Sequence, residues 1–159
     1  MSGMQLMRRV LGVDFGQARI GVAISDELGM LAHPVETIPG ARIDVAAKRV
    51  AEIAREKDVE RVVIGLPRHM NGEVGAAAAE ANAFAEKLRP LLQCPITMWD
   101  ERLSTTAANR ALRDAGQKTR KTRGIVDQVA AQMILQGYLD SRPAAPLAES
   151  RADEDDPLA

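Results

Sequence analysis

The sequence predicts an α/β protein with a mixed five-stranded sheet, in which a three-strand antiparallel meander is followed by two parallel strands, and helices flank the sheet. In the N-terminal quarter, short apolar runs separated by turn residues are typical of hairpins. Further along, amphipathic segments alternate with apolar runs, which is typical of β-α-β units. At 159 residues, the chain has room for one domain with its own core.

The first hairpin organises this prediction. An apolar run at residues 10–13 predicts a buried strand, and it ends on Asp14, next to the turn glycine Gly16. After a turn at residues 15–18, large and small residues alternate through residues 20–25, which predicts a returning strand with one larger apolar face. Because an unpaired charge is costly at the end of a buried strand, Asp14 is expected to face a cation or a hydrogen-bond donor.

The later elements follow from periodicity and from turn residues. Proline and glycine limit the third strand, and helical spacing of apolar residues marks the helices. The predicted elements are a strand at 35–38, a helix at 43–54, a strand at 61–67, a helix at 74–92, a strand at 96–99, a helix at 105–112 that Ser104 precedes, and a last helix from about 125 to 139.

The last helix is predicted to pack through Val126, Val129, Ala130, Met133, Ile134 and Gly137. Asp127 is expected in its first turn, on a second stripe that continues through Ala131, Ile134 and Tyr138.

Composition narrows the class of protein. The single cysteine, Cys94, excludes an internal disulfide, and no apolar run is long enough for a membrane span, so we expect a cytoplasmic protein. The last nineteen residues carry five acids and two arginines, which leaves 17 acids and 19 bases in the rest of the chain. We therefore expect a folded domain over residues 1–140 and an acidic, disordered tail over residues 141–159.

Three carboxylates predict a metal site. Asp14 and Glu101 follow strands whose ends are expected at one edge of the sheet, and Asp127 lies on the last helix. Oxygen ligands suit Mg²⁺ or Mn²⁺, and a pair of such ions can activate water and stabilise the leaving oxygen of a phosphodiester. Basic residues close in sequence to these acids would hold phosphates: Arg102, Lys121 and Arg123.

Each candidate also has a structural interpretation. Asp14 could be a turn former, Asp127 could complement the helix dipole, and Glu101 could form a surface pair with Arg102 worth less than about 1 kcal/mol. The basic stretch at residues 118–123 could be a solvated loop, and His69 could lie on the surface. Spacing alone leaves these alternatives open, and it also leaves open the choice between Asp100 and Glu101.

Four segments together resemble the YqgF/RuvX family of pre-16S rRNA nucleases and Holliday-junction-resolvase-like proteins. The segments are V-D-F-G-Q-A-R-I-G-V-A-I-S-D, V-I-G-L-P with M-N-G, W-D-E-R-L-S-T, and V-D-Q-V-A-A-Q-M-I-L-Q-G-Y-L, in the family's order. The resemblance implies a ribonuclease H-like fold and a catalytic and metal-binding triad of Asp14, Glu101 and Asp127. It also favours Glu101 over Asp100.

The resemblance implies a nuclease that uses Mg²⁺ or Mn²⁺ to process the 5′ end of pre-16S rRNA, leaving a 5′ phosphate and a 3′ hydroxyl. The expected nucleic-acid contacts are Arg19, Arg102, Lys118, Arg120, Lys121, Arg123, His69 and Asn71. One departure concerns the loop at residues 68–72, where Arg68-His69 precedes M-N-G and family members commonly carry an apolar residue and Asn.

Other functions stay open at this stage. A Holliday junction resolvase acting on four-way DNA should be a homodimer, because two strands must be cut. An actin-like ATPase shares the Asp-x-Gly hairpin but needs a second domain, for which the chain is too short. A non-catalytic RNA-binding module would leave the carboxylates without a role, because carboxylates repel phosphate.

Overall fold

The structure is a computed structural model that describes residues 9–16, 18–67, 75–101 and 120–142, and within 120–127 it describes only the backbone. Several predicted features lie outside the described residues. These are the loop at 68–72, the helix at 105–112, and the acidic tail from residue 143 onward. Among the described residues, no helix is long and apolar enough to cross a membrane.

The sheet has the predicted mixed topology. Its strands are β1 (Val10–Asp14), β2 (Arg19–Ser25), β3 (Ala32–Pro39), β4 (Arg61–Leu66) and β5 (Ile96–Asp100), in the order β3-β2-β1-β4-β5. The pairs β1–β2 and β2–β3 are antiparallel, whereas β1–β4 and β4–β5 are parallel. The predicted antiparallel meander followed by two parallel strands is therefore confirmed.

Two helices cover one face of the sheet. Helix α1 spans Ile43–Glu56, and α2 spans Ala76–Leu88 and continues into a 3₁₀ turn at Arg89–Leu91. The larger apolar side chains of the sheet face these helices, as the alternation in β2 predicted, and Phe84 of α2 stacks on Phe15 with ring centroids 4.9 Å apart. An ion pair of 3.0 Å between Lys87 Nζ and Asp44 Oδ1 joins the two helices.

The third strand is longer than predicted. It extends from Ala32 to Pro39, although Pro34 and the Pro39-Gly40 pair had limited the prediction to residues 35–38. Proline lacks the N–H that a central strand needs, but β3 lies at the edge of the sheet, where a missing donor is tolerated. A register shift opposite Val22 and Ala23 marks an irregularity in its pairing with β2.

The last helix, α3, spans Arg120–Ser141 and covers the other face of the sheet. It begins about five residues earlier than predicted, so residues 120–123 of the basic stretch are helical and Asp127 is not in the first turn. The predicted packed side was partly wrong, because Val129 is 43% exposed. The second predicted stripe, which continues from Asp127, faces the sheet, and its residues Ala131 and Ile134 are fully buried.

Candidate metal and nucleic-acid site

Glycines let α3 approach the sheet closely. A Cβ added to Gly12 would lie 2.6 Å from Leu135 Cβ and 3.2 Å from the carbonyl oxygen of Ala131, and one added to Gly65 would meet Ile134. Both glycines therefore point toward α3. Since alternate residues of a strand share a face, Asp14 lies on the same face as Gly12.

Asp14 is the last residue of the central strand, β1. It lies at the site edge, which we define as the edge of the sheet formed by the carboxyl ends of β1, β4 and β5. Its side chain is only 4% exposed, and its antiparallel partner in β2 is Gly21. On the other side, Gly65 follows Ile64, the parallel partner of Val13. Asp14 therefore stands between two positions that carry no side chain, and on the Gly65 side the room is taken by the end of the Ile134 side chain and the Glu101 carboxylate.

Glu101 follows β5 and is 2% exposed. Its Oε2 atom lies 2.5 Å from where a Cβ of Gly65 would stand, so its carboxylate occupies the α3-facing side of the sheet. Asp100, the last residue of β5, is half-buried, and alternation along the strand directs it to the opposite face. Of these two acids, Glu101 therefore shares a face with Asp14, and this geometry agrees with the choice that the family resemblance implied.

The N-terminal end of α3 lies nearer to the site edge than its C-terminal end does. Near its C-terminal end, Gln136 contacts Ala32 at the start of β3, whereas Gln128 contacts Thr37 near the end of that strand. Residue 127 therefore lies in the part of α3 nearest to the site edge, one turn before Ala131. As the eighth residue of the helix, Asp127 is too far along to complement the helix dipole, whose effect is confined to the first turn.

The predicted phosphate contacts are placed only in part. Arg19 begins β2 opposite Pro39, at the same end of the sheet as Asp14, and it is half-buried. Arg120, Lys121 and Arg123 belong to the first turn of α3, and the structure describes only their backbone. Four further predicted contacts lie outside the described residues: His69, Asn71, Arg102 and Lys118.

The donor set fits a hard divalent cation. Asp14 and Glu101 supply carboxylate oxygens, which Mg²⁺ and Mn²⁺ prefer, and both are buried on one face with Gly65 between them. Any methyl group at position 65 would occupy space next to the Glu101 carboxylate. Within the described part of the chain, no three His, Cys, Asp or Glu residues form a metal-binding group.

Two features of this region are not among the sequence predictions. The sequence pattern marks Gly65 only as the end of a strand, whereas its closeness to Glu101 follows from the pairing of β4 with β5. Three glutamines of α3 also hydrogen-bond to the edge of the sheet, and their four-residue spacing was the available signal. The spacing places them on one helix face, but it does not reveal what they contact.

The sheet order and the acidic site edge define a ribonuclease H-like fold of the type found in RuvC nucleases. The structure of Thermus thermophilus RuvC in complex with a Holliday junction substrate aligns with a TM-score of 0.53 over 83% of this chain and 94% of that chain, at 15% sequence identity. A second structure of RuvC from Thermus thermophilus aligns with a TM-score of 0.52, at 13% identity over 83% of this chain and 95% of that one. At such identities, the likeness shows the fold alone.

The sequence comparison gives the family. The family model described as "RuvX: Holliday junction resolvase" matches residues 8–141. A Bacillus thuringiensis protein named "Putative pre-16S rRNA nuclease" is 46% identical over 136 residues, which are 84% of this chain and 99% of that protein. A protein of the same name from Bacillus anthracis matches with the same identity and coverage. The chain belongs to the RuvX family.

Proposed function

We propose that this chain is a divalent-metal-dependent endonuclease that processes the 5′ end of precursor 16S rRNA in the cytoplasm. Nuclease activity, the hydrolysis of a phosphodiester bond in nucleic acid, follows from membership of the RuvX family. The observation that carries the metal dependence is the pair of buried carboxylates, Asp14 and Glu101, on one face of the sheet around Gly65.

Asp14, Glu101 and Asp127 would hold one or two Mg²⁺ or Mn²⁺ ions in this proposal. When bound, such ions activate a water molecule and stabilise the leaving oxygen. The carboxylates orient the site, and their burial limits competition from bulk water. Where such carboxylates lie close together, a bound cation would also offset their mutual repulsion.

Basic residues around the site edge would contact the phosphate backbone. Arg19 stands at this end of β2, and the helical stretch at residues 120–123 lies at the N-terminal end of α3. The proposed set of nucleic-acid contacts also includes Arg102, Lys118, His69 and the uncharged Asn71. Contacts of this kind position the nucleic acid and do not read its sequence, so recognition of one precursor would depend on RNA structure.

The choice of RNA rests on the relatives. The Bacillus proteins match this chain over almost their full length and carry the pre-16S rRNA nuclease name. A second candidate, resolution of four-way DNA, is favoured by the description of the family model. The two candidates differ in symmetry, because a resolvase has to act as a dimer with two sites.

Cleavage of two end-labelled substrates tests the proposal. One substrate is a precursor fragment that spans the 5′ end of 16S rRNA, and the other is a mobile four-way DNA junction. Each is incubated in Mn²⁺ or Mg²⁺ with wild type, Asp14→Asn, or the control Asp100→Asn, which neutralises a carboxylate on the opposite face of the sheet.

We expect wild type and Asp100→Asn to cut the RNA at comparable rates. For Asp14→Asn, we expect cleavage to be abolished with the fold retained, because a metal ligand and not core volume is removed. Circular dichroism would check the fold. Paired symmetric nicks in the DNA junction, without RNA cleavage, would instead support the resolvase, and binding of both substrates without cleavage would refute the nuclease.

A further inference from the structure

Three glutamines, Gln128, Gln132 and Gln136, form a row along α3, which we call the glutamine row. Gln136 accepts a hydrogen bond from Ala32 N at 2.9 Å and donates one to Met30 O at 2.8 Å, while Gln132 donates to Ala32 O at 2.9 Å. At the other end of the row, Gln128 Nε2 donates to Thr37 Oγ1 at 3.0 Å. The row therefore joins α3 to both ends of the edge strand β3.

The contact of Gln128 lies level with Asp14. Thr37 pairs with Gly21 across β2 and β3, and Gly21 pairs with Asp14 across β1 and β2. These three residues thus lie side by side on β3, β2 and β1, in one line across the sheet that includes Asp14 at the site edge. Gln128 ties α3 to this line, and the next residue toward the N-terminus is Asp127.

The hydrogen bond of Gln128 adds a directional contact to the apolar packing of α3 on the sheet. Below this part of α3, Gly12 faces the Ala131 carbonyl oxygen and Leu135, and Gly21, which has no side chain, stands between Thr37 and Asp14 in the sheet. Burial of apolar surface has no preferred direction. A hydrogen bond fixes both the distance and the angle between its two groups.

We infer that Gln128 is a positioning residue, which through Thr37 holds the turn of α3 that carries Asp127 at the level of Asp14. The inference rests on the proposed function, because that function gives Asp127 its role as a ligand. Partners that orient metal ligands typically change metal affinity or activity by about 10- to 100-fold when they are removed. We expect the lower end of this range, because Gln128 acts through the backbone of α3.

Two variants separate positioning from general stability. Gln128→Met and Gln136→Met each keep the length of the side chain and the helix propensity but remove the amide. Gln136 makes three of the observed hydrogen bonds, to Ala32, Met30 and Asp140, and Gln128 makes one to Thr37. Gln136→Met should therefore lower the unfolding midpoint at least as much as Gln128→Met does.

The readouts are Mn²⁺ binding without nucleic acid, followed by electron paramagnetic resonance, and the kcat and KM of cleavage. For Gln128→Met, we expect about tenfold weaker Mn²⁺ binding and about tenfold lower kcat with KM within about twofold of wild type. Gln136→Met should keep both within about twofold of wild type. Thr37→Val, which removes the hydroxyl, should show the same losses of Mn²⁺ affinity and kcat as Gln128→Met. Thr37→Ser, which retains the hydroxyl, should keep wild-type values.

The outcomes distinguish the inference from the function on which it rests. If wild type binds Mn²⁺ and cleaves, and the two methionine variants match each other in affinity and kcat, the positioning role of Gln128 is wrong. If effects follow the loss of stability, so that Gln136→Met is the more defective variant, the role is also wrong. If wild type neither binds Mn²⁺ nor cleaves, the proposed function itself fails, and the inference fails with it.

Discussion

Gly12 and Gly65 both lie under α3, but their neighbours differ. Next to Gly12 are the Leu135 Cβ and the Ala131 carbonyl oxygen, which belong to the helix framework. Next to Gly65 are the movable end of the Ile134 side chain and the Glu101 carboxylate. The two positions thus allow the packing of the helix and the geometry of the site to be perturbed separately.

We predict that Gly12→Ala and Gly65→Ala each destabilise the fold by about 1–3 kcal/mol, since each forces a methyl group into a filled interface. Only Gly65→Ala displaces Glu101, so only this variant should weaken Mn²⁺ binding, by about tenfold. Urea denaturation and Mn²⁺ titration measure the two effects. Equal Mn²⁺ affinities for the two variants would show that the Glu101 carboxylate beside Gly65 does not bind the ion.

The choice between Asp100 and Glu101 shows what a residue pattern can and cannot give. Alternation in a strand states that two adjacent residues face opposite ways, but it does not say which one faces the site. That information depends on the pairing of β5 with β4 and on the side that α3 covers. The sequence could therefore predict a carboxylate at this strand end, and only the family resemblance or the fold could select Glu101.

At the scale of elements, α1 is tied to the edge strand β3 by a bidentate ion pair. Arg49 donates from Nε to Glu36 Oε2 at 2.9 Å and from Nη2 to Glu36 Oε1 at 2.8 Å. These hydrogen bonds to Arg49 lower the pKa of Glu36 below its usual value of 4.5, although partial burial acts in the opposite direction. A lowered carboxyl pKa stabilises the folded state only while the carboxyl is ionised.

We therefore predict a pH-dependent difference between wild type and Glu36→Gln. The stabilisation from Glu36 should be fully present above pH 4.5, the unfolded value, and should disappear as the pH falls through the lower folded value. Thermal unfolding midpoints between pH 7 and pH 3 measure this difference. Glu52→Gln, which removes the exposed contact of Arg49 at 3.0 Å, should have a smaller effect. A wild-type advantage of the same size at pH 3 and pH 7 would contradict the prediction.

The elements that were predicted least well share a physical cause. The helix at 120–141 begins within a basic stretch that contains threonines and precedes Gly124, residues that disfavour helix, so the prediction placed its start at about residue 125. Pro34 similarly hid the beginning of β3. In both cases tertiary context overrides local preference, through packing of α3 on the sheet and through the edge position of β3.

For the whole molecule, the order of strands and helices was predictable because hydrophobic periodicity reports which faces are buried. This periodicity predicted the five strands, the helices α1 and α2, and the last helix, α3. The glutamine row was not predictable in the same way, because polar residues on a helix face carry no signal of their partners. Gln128 and Thr37 are 91 positions apart in the chain, and only the fold brings them together.

Substrate choice also belongs to the scale of the whole molecule. Cleavage of an RNA end needs one site, whereas symmetric resolution of a junction needs two sites in a dimer. The two activities therefore predict different oligomeric states under cleavage conditions: resolution of a junction requires a dimer, whereas cleavage of an RNA end does not. We expect a pre-16S rRNA nuclease to cut at a rate proportional to protein concentration, without the second-order dependence that dimer formation would impose at low concentration.

We propose that carboxylates at the ends of two strands, together with one on α3, hold a divalent cation at the site edge. Calorimetric titration of Mn²⁺ into wild type, Asp14→Asn, Glu101→Gln and Asp127→Asn tests it most directly, with Asp100→Asn as the control. We predict that wild type and the control bind alike, and that each of the other three variants binds at least about tenfold more weakly. Undiminished binding by Asp127→Asn, or no binding by wild type, would contradict the claim.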